Sequence, residues 1–139
     1  MGTQQILLIV LSIVIVGIAI WAGIQIYKGM IESSARTATI SDLTNFRAIT
    51  RAYYLTASIQ GGSSHASNGW DAASIAEYIG IGYDGSTGLE TQNATIEVSL
   101  EGSSSEKVVF LATPKEGQIT YKIKLTYNIN DNSVLIAEI

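Results

Sequence analysis

The chain has 139 residues, a formal net charge of −4 and no cysteine. The lack of cysteine excludes a disulfide framework and thiolate chemistry, and the acidic balance gives no general basis for binding nucleic acid. Length predicts one domain plus an apolar N-terminal segment, because the roughly 110 residues beyond that segment suffice for one modest core. Those residues are rich in Ser, Thr, Asn and Gly and low in charge, a composition that favours a secreted or surface domain over a cytosolic enzyme.

The first predicted element is an apolar helix over residues 1–27. Its central stretch, Ile6–Tyr27, holds 22 residues without a charge. As a helix this stretch is roughly 33 Å long, enough to cross about 30 Å of hydrocarbon. It is too long for a strand, which usually has about 4–8 residues, and in lipid a single helix satisfies its own backbone groups. The sequence therefore predicts a membrane-competent helix, with Thr3 as a candidate N-cap.

Two other interpretations of this stretch are set aside. A secretory signal peptide has a basic segment ahead of a shorter apolar core, but no Lys or Arg precedes Ile6. N-myristoylation needs Ser or Thr at the sixth position, which Ile6 occupies. Gly17 and Gly23 lie inside the stretch; they are either a notch for close helix packing or a soft point where the helix stretches.

The helical pattern continues beyond the apolar stretch to about residue 57. Apolar residues recur at helical spacing, which predicts an amphipathic half over 28–57. Asp42 breaks the apolar stripe without an evident reason, and Glu32 is expected to pair with Arg36 four residues on. The stripe comprises Ile31, Ala35, Ala38, Phe46, Ile49, Tyr53 and Ala57, and three arginines lie on another face, Arg36, Arg47 and Arg51.

Residues 58–91 predict a loop and a short helix. The composition of 61–69 is that of a loop, and Asp71 is placed to cap a helix that carries Ile75 and Ile79 at helical spacing. Residues 83–88 predict a second turn-rich connection.

The apolar period then changes to two, which predicts strands over 92–139. Alternation is clear from Ala94 to Leu100 and from Ile119 to Ile129, with further strands at 107–113 and at the C-terminus. Short turns between four successive strands predict an antiparallel meander with one wet face. The amphipathic half of the long helix would cover the other face. The predicted fold is therefore α+β, with a globular part over 28–139.

A charge-free apolar N-terminal helix that continues into an amphipathic half, packed on a four-stranded antiparallel sheet, resembles the type IV pilin family. The resemblance covers the whole architecture, but its residue-level motif is confined to the first thirty residues. It implies that a prepilin peptidase removes a short leader, that the new N-terminus is methylated, and that inner-membrane machinery assembles the chains into a pilus. It also implies that residues 1–27 form the filament core, through Ile6, Ile9, Val10, Ile13, Gly17, Trp21 and Gly23.

The chain departs from the family pattern in its first residues and in its apolar helix. The family usually has a glutamate at the fifth mature position. If Met1 is the mature start, Gln5 stands there and accepts a hydrogen bond from a neighbour's terminal amine without an ion pair. In the alternative frame Thr3 is the mature start and Leu7 the fifth residue, after a leader without a basic residue; we favour the first frame. The proline of many pilin helices is missing, as is the C-terminal disulfide.

The residues that could suggest catalysis or metal binding have simpler explanations. His65 is the only histidine and lies in a Ser/Gly loop, so we expect a solvated side chain and not part of a Ser-His-Asp site. One His and no Cys leave too few ligands for a typical metal site, and residues 128–133 lack the spacing of a calcium loop. We expect no cofactor and no catalysis. Asn93 begins a glycosylation sequon. The arginines predict a solvated or subunit-facing stripe, and the aromatic residues of the helix are expected to cover the sheet.

These patterns predict a structural protein that forms a helical homopolymer. An apolar helix outside lipid is stable only if identical helices bury it, and a repeating heterologous contact builds a filament. The expected protein is a single-pass membrane protein before assembly and an extracellular filament at the cell surface afterwards. Two alternatives stay open: a pseudopilin or minor pilin of a secretion or uptake machine, and an anchored surface domain that binds a ligand through residues 61–70 and 83–91.

Overall fold

A computed structural model describes residues 2–63, 69–102, 105–115 and 120–139. Predictions that concern Met1, His65 and Ile119 therefore lie outside the described residues. The class is α+β, as the sequence predicts. In chain order the elements are helix α1 (Gly2–Leu55), a 3₁₀ turn (Ser58–Gln60), helix α2 (Ala72–Ile79) and strands β1 (Gly88–Glu90), β2 (Ala94–Glu101), β3 (Lys107–Pro114), β4 (Ile123–Asn128) and β5 (Val134–Glu138).

The chain divides into two units, Met1–Ser34 and Ala35–Ile139. The described part of the first unit is entirely helical. The prediction that the helix continues beyond Tyr27 is confirmed, and the helix ends at Leu55, two residues before the predicted end. A turn follows in which Gly61 takes the left-handed conformation, with φ of 85°. Glycine adopts this conformation without a steric cost, so the chain reverses there.

Within the second unit, α1 buries one face. The buried residues are spaced four and three apart, as an amphipathic helix requires, and the face includes Leu43, which the predicted stripe omits. Two threonines lie on this face, and their hydroxyls donate to carbonyl oxygens one turn back, at 2.9 Å and 2.8 Å. Their polar atoms are thereby satisfied inside the helix. The face comprises Thr39, Leu43, Phe46, Thr50 and Tyr53.

The sheet has five antiparallel strands in the order β1-β2-β3-β4-β5. The prediction of four strands is wrong, because β1 forms within the segment predicted as a loop. Three residues are too few to show an alternating pattern. The strand is nevertheless fixed, since Leu89 is 1% exposed and the Asp84 carboxylate accepts hydrogen bonds from Ser86 N and Gly88 N. The alternation predicted from 119 appears as β4, which begins at Ile123.

The core lies between the sheet, the second part of α1, and α2. Phe46 of the helix meets Phe110 of β3 with ring centroids 6.3 Å apart. Asp71 caps α2 as predicted, because its carboxylate accepts a hydrogen bond from Ser74 N at 3.0 Å. The alternation predicted for the strands is confirmed by the inward-facing residues, which are Ala94, Ile96, Val98, Val108, Phe110, Ala112, Ile123, Leu125 and Tyr127.

Asp42, which the sequence left unexplained, binds the β1–β2 hairpin. The side-chain amide of Asn93 donates to its carboxylate, with 3.0 Å between Nδ2 and Oδ2. The two residues are 51 positions apart in sequence, so no local pattern reveals the contact. A carboxylate interrupts the apolar stripe here because it fixes the helix to the end of the sheet.

Two of the three arginines of the predicted stripe contact the sheet. Arg36 forms its ion pair with Glu138 of β5, and not with Glu32 as the helical spacing predicted. Arg47 donates to Asn132 at 3.2 Å and lies 5.1 Å from the centroid of the Tyr127 ring. The stripe is therefore largely engaged within the chain.

Candidate assembly surface

Between Ile6 and Met30, the first unit presents a helix whose large apolar side chains are all exposed. From Ile6 to Met30 every such side chain has between 48% and 68% of its surface exposed. At about 100° per residue these side chains surround the whole helix and do not form one face. A helix that is apolar on all sides is normally buried, either in lipid or in protein. The surface of residues 6–30 is hereafter called the apolar surface.

The proposed core-packing residues lie on this surface. Ile6, Ile9, Val10, Ile13 and Trp21 are between 53% and 66% exposed. Taken with Gly17, they fall within an arc of about 120° on a helix of 3.6 residues per turn, whereas Gly23 lies outside that arc. The helix thus brings six of the seven residues to one side.

Gly17 and Gly23 are not required by packing within the described chain. A Cβ atom built at either position meets no other atom within 4 Å. The helix is also regular at both positions, so the interpretation as a point of stretching has no counterpart here. Small residues at open positions leave room for close approach of another helix.

Polar side chains are few in the part of α1 between Gly2 and Tyr27. Ser12 donates its hydroxyl to the Leu8 carbonyl oxygen at 2.8 Å, which satisfies its polar atom inside the helix. Thr3 and Gln5 are exposed in the first turn. Because α1 begins at Gly2, Thr3 lies within the helix and not at the predicted N-cap position.

By length and composition, α1 is able to cross a membrane. It is the one helix of this kind in the described part of the chain, and none of its most apolar segment is buried. The criterion is also met by signal sequences near an N-terminus. The finding therefore supports membrane competence.

The second unit carries an aromatic cluster where α1 ends. The Tyr53 ring lies 4.7 Å from Tyr78 and 6.2 Å from Trp70, and its hydroxyl donates to the Gly69 carbonyl oxygen at 2.6 Å. Burial raises the pKa of Tyr53, while a hydrogen bond with Ser74 opposes that rise. These aromatic residues fill the space between the two helices, so packing accounts for them.

Other candidate chemistry in the second unit is limited. Across the described ranges no group of three or more His, Cys, Asp or Glu residues is placed to hold a metal ion. Asn93 is half-buried on its hairpin, and the amide nitrogen that a glycan would occupy is the one that donates to Asp42. Much of the ligand-binding loop proposed at 61–70 lies outside the described residues.

Comparison with protein-family models, with curated proteins and with solved structures gives no match to this chain. A long N-terminal helix with an apolar first part, together with an antiparallel sheet, is compatible with a pilin-like arrangement. The fifth strand departs from the four-stranded sheet that the resemblance implies.

Proposed function

We propose that the chain is the structural subunit of an extracellular filament of the type IV pilus kind, which polymerises through residues 6–27 after it leaves the membrane. One observation carries the proposal. The apolar surface is exposed on all sides, yet it belongs to the same unbroken helix that is buried against the sheet from Thr39 to Tyr53.

Unbroken helicity is what distinguishes a filament subunit from a simple anchor. A membrane anchor needs only about 20 apolar residues, after which a flexible linker would serve. Here the helix continues through the boundary between the two units. A filament repeats the same contact at every subunit, so residues 6–27 must have the same conformation in every copy, and an unbroken helix gives them one.

Burial of apolar surface favours assembly only after the subunit has left the membrane. Each Å² of apolar surface removed from water contributes about 25 cal/mol, and lipid already provides that burial while the chain is in the membrane. Assembly therefore gains nothing from burial until the subunit is extracted. A machine must therefore extract the subunit from the membrane. The resemblance implies that this is an inner-membrane assembly machine and that a prepilin peptidase is a second partner.

Residue roles follow from position on the helix. Ile6, Ile9, Val10, Ile13 and Trp21 are the proposed contacts in the filament core, and Gly17 on the same side permits close approach. Gly23, off that side, is proposed to face a different neighbour. Near the N-terminus, in the favoured frame in which Met1 is the mature start, Gln5 offers an amide oxygen to the terminal amine of an adjacent subunit.

Surface material sheared from cells that produce the chain tests the proposal. Electron microscopy should show filaments, and mass spectrometry should identify this chain as their main component. The mass of its N-terminal peptide decides between Met1 and Thr3 as the mature start. A chain that stays in the membrane fraction without filaments contradicts the proposal and favours a pseudopilin or an anchored domain.

A matched pair of variants isolates the apolar surface. Ile13→Glu places a charge on the proposed packing side, where Ile13 is 66% exposed, and should abolish filaments. Ile59→Glu makes the same chemical change on the 3₁₀ turn, where Ile59 is 98% exposed, and should leave filament yield within about twofold of the unmodified chain, since exposed changes cost little. Equal filament yield from both variants would contradict the proposed packing side.

A further inference from the structure

The two edges of the sheet differ. The outer edge of β1 is closed by the preceding loop, because Asp84 N donates to Gly88 O and Glu90 N donates to Gly82 O, both at 3.1 Å. Gly88 N in turn donates to the Asp84 carboxylate at 3.1 Å. In β1, Gly88 and Glu90 are the residues whose main-chain N–H and C=O groups point away from β2. Their edge is therefore occupied by the chain's own atoms.

At the opposite edge, β5 leaves its outward main-chain groups unpaired. Lys122 and Ile139 exchange two main-chain hydrogen bonds, at 2.8 Å and 2.9 Å, and Asn128 N donates to Ser133 O at 3.0 Å. Because bonded and non-bonded positions alternate in an antiparallel ladder, Leu135 and Ala137 also bond to β4. Val134, Ile136 and Glu138 then direct three N–H and three C=O groups out of the sheet, and no described residue bonds to them.

The side chains do nothing to protect this edge. All five residues of β5 are exposed, with Leu135 at 66% and Ile136 at 40%. Protein edges are commonly protected by lysine, proline or a covering segment, whereas the sequence VLIAE contains neither lysine nor proline. Its one charge, on Glu138, is already paired with Arg36.

We propose that β5 pairs antiparallel with β5 of a second copy of this chain, about a two-fold axis at Ile136. In this register Ile136 lies opposite Ile136 of the second copy, and Val134 lies opposite Glu138. All six outward groups on each strand are then paired, which gives six hydrogen bonds between the copies. A shift by two residues leaves some groups unpaired, and a shift by one places outward groups opposite groups already bonded to β4.

Self-pairing is favoured over another partner for three reasons. The outward groups are symmetric about Ile136, so the strand is complementary to itself. The closed β1 edge excludes contact between β5 of one copy and β1 of the next. Glu138 faces an apolar valine and no like charge, and like charges opposite each other destabilise a sheet. The contact closes after two copies, and it lies wholly within Ala35–Ile139, so it does not depend on the filament proposal.

Cysteine substitution tests the register, because the full-length chain has no native cysteine. In the proposed pair Leu135 faces Ala137 of the second copy at a non-hydrogen-bonded position, where Cα atoms are about 4.5 Å apart and a disulfide forms readily. Leu135→Cys and Ala137→Cys chains, one of them carrying a size tag, are mixed in detergent and oxidised mildly. We expect the mixed disulfide dimer to exceed either homodimer at least tenfold.

Each variant alone is the control for random collision, since identical positions lie about 7–8 Å apart or more across the pair. A mixed dimer no more abundant than the homodimers overturns the proposal. Adding Ile136→Lys places two ammonium groups opposite each other at the two-fold axis and should reduce the mixed dimer at least tenfold. Adding Ile59→Lys, at an exposed site outside the edge, should leave it unchanged. Equal yields with the two lysine variants also overturn the proposal.

Discussion

Helix α1 shows two opposite outcomes of hydrophobic sequence. Residues 6–30 are the more apolar part, yet their large side chains are all exposed; the less apolar part from Thr39 to Tyr53 buries a full face. The difference lies in the pattern. A one-sided pattern matches one sheet face within the same chain, whereas a helix apolar on every side exceeds what one sheet can cover.

This comparison separates stability from assembly. Burial of a large aliphatic or aromatic side chain contributes about 1.5–3 kcal/mol, but only when the side chain leaves water. The apolar surface therefore adds nothing to the folding of an isolated chain in water, and its contribution appears on transfer to lipid or to a neighbouring subunit. The core around Phe110, in contrast, is buried within the chain itself and therefore stabilises the fold of the isolated chain.

The largest expected effect compares Phe110→Ala with Trp21→Ala. Phe110 is fully buried, so its truncation should lower the free energy of unfolding of residues 35–139 by about 3–5 kcal/mol. Trp21 is 65% exposed, so its truncation should change that free energy by less than about 0.5 kcal/mol while it reduces filament yield. Urea unfolding in mild detergent, followed by circular dichroism, measures the two changes in unfolding free energy, and electron microscopy measures the filament yield.

Fluorescence gives an independent reading of the same pair. The chain has two tryptophans, and Trp21→Ala leaves Trp70, whose indole donates to the Ser105 carbonyl oxygen at 2.9 Å. Phe110→Ala is therefore best measured in that background, where all tryptophan emission reports on the second unit. Equal losses of unfolding free energy from the two substitutions would show that the two regions do not differ in burial.

A smaller effect is expected from glycines. Gly82 has a φ of +59°, and a Cβ there would lie 2.1 Å from the Glu90 carbonyl oxygen. Gly82→Ala should thus cost roughly 2 kcal/mol or more in unfolding free energy. At Gly17 an added Cβ has no atom within 4 Å, so Gly17→Ala should leave the stability of the second unit unchanged. Its expected effect is on filament yield, which should fall if Gly17 permits close helix approach. Thermal unfolding and electron microscopy distinguish these results, and a stability loss from Gly17→Ala would contradict the comparison.

The smallest effect is a pH dependence confined to the second unit. Hydrogen bonds from the backbone of Ser86 and Gly88 hold the pKa of Asp84 below its ordinary value of 3.8. A carboxyl whose pKa is lowered on folding stabilises the fold above its unfolded pKa, and that contribution is lost as pH falls through the folded pKa. The midpoint of thermal unfolding should therefore fall between pH 5 and pH 2, and it should fall less in Asp84→Asn. The helical signal of residues 6–27 should not follow it. An identical pH profile in Asp84→Asn would contradict this role.

Several features were predictable because their causes are local. The helix through residue 55, the Asp71 cap and the alternating strands each follow from neighbouring residues in sequence. Strand β1 was not predictable, since three residues give no period and the strand depends on Asp84. The partners of Asp42 and Arg36 were missed for a related reason, because they lie far away in the chain.

The sequence by itself determined that residues 6–27 form an apolar helix too long and too evenly apolar for one small domain to bury. It also determined that strands follow, because apolar period and length depend on nothing beyond the segment itself. Only the tertiary structure decided the position of the buried helical face, the fifth strand, and the contrast between a closed sheet edge and an open one. Those features depend on groups that are distant in sequence and come together only in the folded chain. No short segment specifies which of their hydrogen bonds form and which main-chain groups stay unpaired.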